Sequence, residues 1–224
     1  MTKELITVHK FGGSCLRDSS DLERVSQVIQ QTDGQAIIVV SALWGTTDRL
    51  IRASYEPRYA GRLVHDLEEQ HLRFAPGLAD SKVGHLFKSV LRGIETSLDQ
   101  LAVNPQDNVA KNRLLAAGER LSALVVSHFL NMKGIDSHPV GAEDIGLRLN
   151  GIGKAPTVDL QSSKLNLDLS ALQGTPVITG WFGQGDDGEL ALLSRGGSDH
   201  TATAIANLVD ATKVILWKDV AGVL

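Results

Sequence analysis

The run Ala36-Ile37-Ile38-Val39-Val40 constrains the fold more than any other stretch of the chain. Consecutive apolar, mostly β-branched residues leave no polar face for solvent, so a strand there must be covered on both sides. Ser41 closes it. Upstream, residues 4–10 alternate with Ile6 and Val8 on one side and run into the turn Gly12-Gly13. Ser20 with Glu23 then makes a capping-box pattern, and Leu22, Val25, Val28 and Ile29 recur at helical spacing. Strand, glycine turn, helix and buried strand in succession predict an α/β fold with a mostly parallel central sheet sandwiched by helices.

The rest of the chain fits that frame. Leu86, Phe87, Val90, Leu91, Ile94, Leu98 and Leu101 line one helical stripe, and a second long helix is predicted over 109–132. Residues 134–170 mix short strand-like pieces with glycines and carry no clear period. An apolar strand from Thr175, a turn at Asp186-Asp187-Gly188 and a return through Leu190, Leu192 and Leu193 read as a hairpin. A helix opens at Ser198 with Ile205, Leu208 and Val209 inward, and residues 214–217 form a last strand. A length of 224 residues fits one compact domain.

Composition narrows the function classes. The formal charge is −4, with Lys and Arg scattered, so no basic footprint for nucleic acid or anionic membrane is present. One cysteine, Cys15, excludes an internal disulfide and a cysteine-rich zinc cluster and suits a reducing compartment. No segment reaches the roughly 18 apolar residues of a membrane span, and a cytoplasmic protein is expected.

Phosphate chemistry is where the residues point. Glycine amides at the 12–13 turn can approach an anion closely, the following helix would add its positive end, and Lys10 can reach the same phosphate as a point charge. The bland alternative is an ordinary tight turn. Ser194-Arg195-Gly196-Gly197-Ser198-Asp199 repeats the arrangement at a second helix start: Arg195 can grip a carboxylate with two hydrogen bonds, and the amides of Gly197 and Ser198 point forward. Its alternative is a plain N-cap with Asp199 complementing the dipole. Glu119 lies mid-helix beside Gly118, whose cost of roughly 1 kcal/mol relative to alanine suggests close approach by another element. Otherwise Glu119 is an exposed glutamate paired with a neighbouring arginine. Residues 183–188 fit G-x-G-x-x-G literally, but lie in a predicted hairpin turn and open no helix, which argues against a dinucleotide site. No metal-ligand spacing and no Gly-x-Ser-x-Gly stands out.

Taken together, six segments resemble the aspartokinases of the amino acid kinase family: K-F-G-G-S at 10–14, V-S-A-L-W-G-T-T-D at 40–48, G-E-R-L-S at 118–122, V-I-T-G-W-F-G at 177–183, L-S-R-G-G-S-D-H-T-A at 193–202 and W-K-D-V-A-G-V at 217–223. The resemblance covers nearly the whole chain, in order. It implies the amino acid kinase fold and ATP-dependent phosphorylation of the side-chain carboxylate of L-aspartate, the first step of aspartate-family amino acid biosynthesis. It also implies roles. Lys10 would stabilise the transferring phosphoryl group, Gly12, Gly13 and Ser14 would cradle it, and Asp199 would orient Lys10. Ser41 and Thr47 would line the place where aspartate and phosphate meet, Glu119 would hold the substrate amino group, and Arg195 a substrate carboxylate. Lys218 and Asp219 would sit near the nucleotide. Magnesium is expected with ATP, its protein ligands left open.

Three departures accompany the resemblance. Aspartokinases usually continue past W-K-D-V-x-G-V into further segments and ligand-sensing ACT domains, so the domain is expected to be incomplete at its C-terminus, with no ACT domain present and homo-oligomers expected of the full-length protein. Cys15 stands where a serine is common; it reads as a packed residue or as a thiol sensitive to alkylation beside the anion loop. Ala221 replaces a common aspartate, and Lys218 stands where many members have threonine. A kinase module that folds but turns nothing over, and a kinase of another small carboxylic acid, remain the competing readings.

Overall fold

The computed structural model describes residues 5–151, 153 and 155–219. Ala221 and the last residues of segment 217–223 lie outside the described residues. The strand β1 (Ile6–Phe11) pairs in parallel with β2 (Gln35–Val40), placing Lys10 opposite Val39 and Phe11 opposite Val40. On its other side β1 pairs in parallel with β9 (Lys213–Trp217), Phe11 opposite Trp217. Beyond β2 come β6 (Thr175–Thr179) and β3 (Ser137–Val140), giving a parallel sheet of order β3-β6-β2-β1-β9. Pro139, which has no N–H to donate, sits on the edge strand β3.

Alternation along these strands builds two cores. Phe11, Ile38, Val40 and Val177 pack with Leu22, Val25 and Ile29 of α1 (Ser19–Gln30) and with the helices α3 (Leu63–Phe74), α4 (Gly84–Val103) and α5 (Asn108–Met132). Val8, Ile37, Val39 and Ile178 face the other way, onto Ala202, Ile205 and Ala206 of α7 (Gly197–Leu208) and onto Ala142, Ile145 and Leu147. The buried run at 36–40 is thus covered on both sides, as its composition requires. Helix α2 (Thr46–Tyr55) follows β2. Segment 134–170 supplies β3, a short pair β4 (Leu149–Asn150) with β5 (Thr157–Val158), and α6 (Leu160–Asn166). No helix of the described residues is long and apolar enough to cross a membrane.

Three local expectations are corrected. The cap of α1 is Asp18, whose carboxylate accepts from the amides of Ser20 and Asp21, so the Ser20/Glu23 box is not the start signal. The glycine turn is followed by a 3-10 turn at Gly13–Cys15, and α1 opens only at Ser19, so its positive end is not at Gly12-Gly13. The strand from Thr175 is no hairpin arm: it joins the main sheet, the chain breaks at Gly180-Trp181, and the hairpin is the short β7 (Phe182–Gln184) against β8 (Leu190–Leu192). Trp181, at φ 73°, makes that break.

Candidate active site

Four neighbouring parallel strands end together, at Gly12, Ser41, Gly180 and Lys218, where open α/β sheets place their ligands. Lys10, the last residue but one of β1, points toward α7, and only 7% of it is exposed. Its Nζ lies 2.7 Å from Asp199 Oδ1, and Lys218 Nζ lies 2.9 Å from Asp199 Oδ2. Two cations share one carboxylate, leaving a net positive charge at the strand ends. Burial alone would raise the Asp199 pKa, but the two lysines outweigh it and hold the carboxyl below its usual range. A Cβ at Gly12 would sit 3.3 Å from Lys10 Nζ, and one at Gly13 would sit 3.0 Å from the Ala42 carbonyl. Gly12 therefore leaves room beside the Lys10 ammonium and Gly13 permits the close approach to the Ala42 carbonyl, while Ser14 lies in the 3-10 turn that follows.

Glu119 approaches from α5. A Cβ at its neighbour Gly118 would come within 2.9 Å of Ala42 Cβ and 3.2 Å of Leu50 Cδ1, which is the close approach that the helical glycine predicts. Glu119 is 3% exposed; Oε1 accepts the Ala42 amide at 3.1 Å, and Oε2 is buried without a hydrogen-bond partner among the described residues. Burial pushes its pKa up to about 8, an effect that the Ala42 amide and the Lys10 charge offset only in part. The surface-glutamate alternative is excluded, since it is Arg120 that pairs outward, with Glu143.

Ser41 is half-buried directly after β2, where its amide donates to the Phe11 carbonyl, and Thr47 is half-buried in the first turn of α2. Arg195 is exposed, and its guanidinium forms no ion pair or hydrogen bond with the described residues. Helix α7 is not capped by a side chain: Gly196, at φ 80°, is its N-cap. The Gly197 amide donates to the Ser194 carbonyl and is not available to a ligand, which corrects the expectation for this turn. Asp219 is exposed beyond Lys218; the Arg17 pKa is raised chiefly by its hydrogen bond and ion pair with Asp21, and Asp219 adds to that only last. Cys15 is half-buried against the larger core. Residues 183–188 do lie in a hairpin, not at a helix start.

Pairwise contacts thus link Lys10 to Gly12 and Asp199, Asp199 to Lys218, and Glu119 to the Ala42 amide, with Gly13 against the Ala42 carbonyl; Ser14, Ser41, Thr47, Arg195 and Asp219 lie in the adjoining segments. Sequence reasoning missed the Ala42 amide, the buried Thr46 hydroxyl, which lacks a partner among the described residues, and Trp181, held by a hydrogen bond from its indole to the Leu193 carbonyl. Both Thr46 and Trp181 lie inside segments whose pattern was visible, but only folding distinguishes them from their neighbours. A cleft of about 770 Å³ between α4, α5 and the β7–β8 hairpin contains none of the candidate residues, so chemistry and not size selects the site.

Comparison with known proteins bears on the fold and the family. Among curated relatives, aspartokinase 2 of Arabidopsis thaliana is 30% identical over 99% of this chain and 43% of its own length. An aspartokinase of Chlamydia pneumoniae is 31% identical over 96% of this chain and 48% of its own. The chain spans less than half the length of these relatives. Escherichia coli aspartokinase III, crystallised with aspartate and ADP, matches with a TM-score of 0.83 at 22% identity, over 97% of this chain and half of that one. At that identity the likeness speaks for the fold alone, a parallel sheet between helices. The model of the amino acid kinase family matches residues 6–224, and the chain belongs to that family.

Proposed function

We propose that this chain carries the catalytic site of an aspartate kinase, transferring the γ-phosphoryl group of ATP to the side-chain carboxylate of L-aspartate in the cytoplasm. The observation that carries the reading is the Lys10–Asp199 pair at the end of β1, beside Gly12, whose missing side chain leaves the Lys10 ammonium approachable. A buried carboxyl at Glu119 with no ion-pair partner among the described residues suits the ammonium group of an amino acid, and Arg195, unpaired among those residues, suits its carboxylate. The aspartate and ADP crystallised with the E. coli enzyme support the same substrates here.

The chemistry needs no general base. A side-chain carboxylate of pKa about 3.9 is ionised at neutral pH. One of its oxygens forms a bond to the γ-phosphorus while the bond from that phosphorus to the β–γ bridging oxygen breaks, and ADP leaves with the electron pair. Charge then spreads over the equatorial oxygens, where a fixed ammonium acts most strongly. Lys10, buried and aimed by Asp199, supplies it. Lys218 and Asp219 would flank the nucleotide phosphates. Magnesium would be held largely by phosphate oxygens and water, its protein ligands left open.

The test is ADP release with L-aspartate against N-acetylaspartate. Release with aspartate alone supports the amino-group contact at Glu119; equal release with both removes it, and release with neither removes the reading.

A further inference from the structure

His9 is buried one residue before Lys10 and faces the opposite side of the sheet, toward α1, with Phe11. Its protonation state can be read from its neighbours. The Thr32 hydroxyl donates its single hydrogen to the Val28 carbonyl at 2.8 Å, so toward His9 Nε2, 3.0 Å away, it can only accept. Nε2 therefore carries the hydrogen. Nδ1 is left as a bare acceptor, and it receives the Trp217 indole N–H at 3.1 Å. The rings of His9, Phe11 and Trp217 lie within 9° of parallel, with centroids 5.9–6.3 Å apart. A protonated His9 would offer Trp217 a second donor in place of an acceptor, so the arrangement holds only for the neutral ring.

Trp217 ends β9, which among the described residues is an edge strand with no neighbour on its outer side, and Val214 and Leu216 are partly exposed. The next residue is Lys218, bonded to Asp199, and the Trp217 carbonyl is 3.8 Å from where a Gly12 Cβ would stand. Besides the ladder to β1, the packing against α7 and the Lys218–Asp199 bond, the indole N–H ties the end of this strand to β1 through a side chain. We propose that neutral His9 is a positioning residue: by holding Trp217 it fixes the end of β9, and with it Lys218 and Asp219, beside Lys10 and Gly12. Lys213 on β9 is the charged group that acts on His9. The end of helix α1 brings Val28, and the turn after it Thr32, toward His9, and β2 sets Ile38 beside it, none of them titratable. The inference rests on the reading that Lys218 and Asp219 face a nucleotide.

The experiment measures ADP and L-aspartate affinities separately, by calorimetry with magnesium present, for the full chain and for His9→Phe, Trp217→Phe, His9→Asn and the double variant His9→Phe/Trp217→Phe. Trp217→Phe keeps an aromatic ring and removes only the N–H, which guards against a His9→Phe protein that fails to fold. Each of these two is expected to weaken ADP roughly three- to ten-fold, the size of one neutral hydrogen bond, with aspartate affinity unchanged. The double variant should lose no more than either single one. His9→Asn, whose Oδ1 stands in the place of Nδ1, should recover most of the ADP affinity. Unchanged ADP affinity in both Phe variants, or equal weakening of both ligands, would overturn the proposal while leaving the nucleotide reading intact. A wild-type chain that binds no ADP would overturn both.

Discussion

Gly118 on α5 and Ala42 after β2 are in such close contact that a methyl group added at Gly118 would stand 2.9 Å from the Ala42 Cβ. This contact lets the Glu119 carboxylate reach the Ala42 amide. Gly118→Ala should therefore destabilise the protein by about 1 kcal/mol net, overpacking of about 1–3 kcal/mol exceeding the gain of about 1 kcal/mol in helix propensity. Denaturant midpoints of the two proteins check this. A stabilised variant would mean that α5 is not packed as described.

Glu119 should make the protein less stable as pH rises. Its pKa is raised from 4.5 to about 8 in the folded state. Between those values the unfolded chain has released the proton that the native state still holds, so stability is full below 4.5 and declines until pH passes about 8. Glu119→Gln should flatten that decline in a series of denaturation curves across this range. An unchanged slope would place the titration elsewhere.

Two histidines act in the opposite direction on the acid side. Burial lowers both His9 and His71 from 6.5 to about 4, so their contribution is full above 6.5 and is lost as pH falls toward 4. Below 6.5 two protons oppose the single proton of Glu119. From these groups alone, stability should peak near pH 6.5. The midpoint of urea unfolding against pH checks this, and His71→Gln should soften the acid limb. A flat acid limb down to pH 4 in the wild type would contradict it.

The parallel sheet was legible because its information is local: the β-branched run at 36–40 cannot be a half-exposed strand of a hairpin, and the helical stripe at 86–101 has an unambiguous period. Lys10 and the glycine turn stood out for the same reason. The Lys218–Asp199 bond was not legible, since 19 residues separate the partners and only the register of β9 on β1 brings them together. The break at Trp181 was hidden because an aromatic residue at positive φ contradicts local preference and is held there by Thr201 and Leu193. The Asp18 cap was missed because two serines follow it and offered an equally good start.

Asp199 is expected to be worth more than an ordinary ion-pair partner. Asp199→Asn leaves the buried Lys10 ammonium without its counter-ion at 2.7 Å, and should lower stability by about 1–3 kcal/mol. Phosphoryl transfer should fall far more than ADP affinity, because the substitution misdirects Lys10 at the moment charge develops. Paired measurement of ADP binding and turnover separates the two effects; a parallel loss in both would assign Asp199 to nucleotide binding alone.

If Lys10 assists transfer of a phosphoryl group to a carboxylate, a hydroxylamine trap will capture the acyl phosphate that forms. The chain is incubated with Mg-ATP and L-aspartate, and the acyl hydroxamate is scored against a control without aspartate and against Lys10→Ala. Hydroxamate is expected to form and to require both aspartate and Lys10. Hydroxamate undiminished in Lys10→Ala, or none from a wild-type chain shown to be folded, would contradict it.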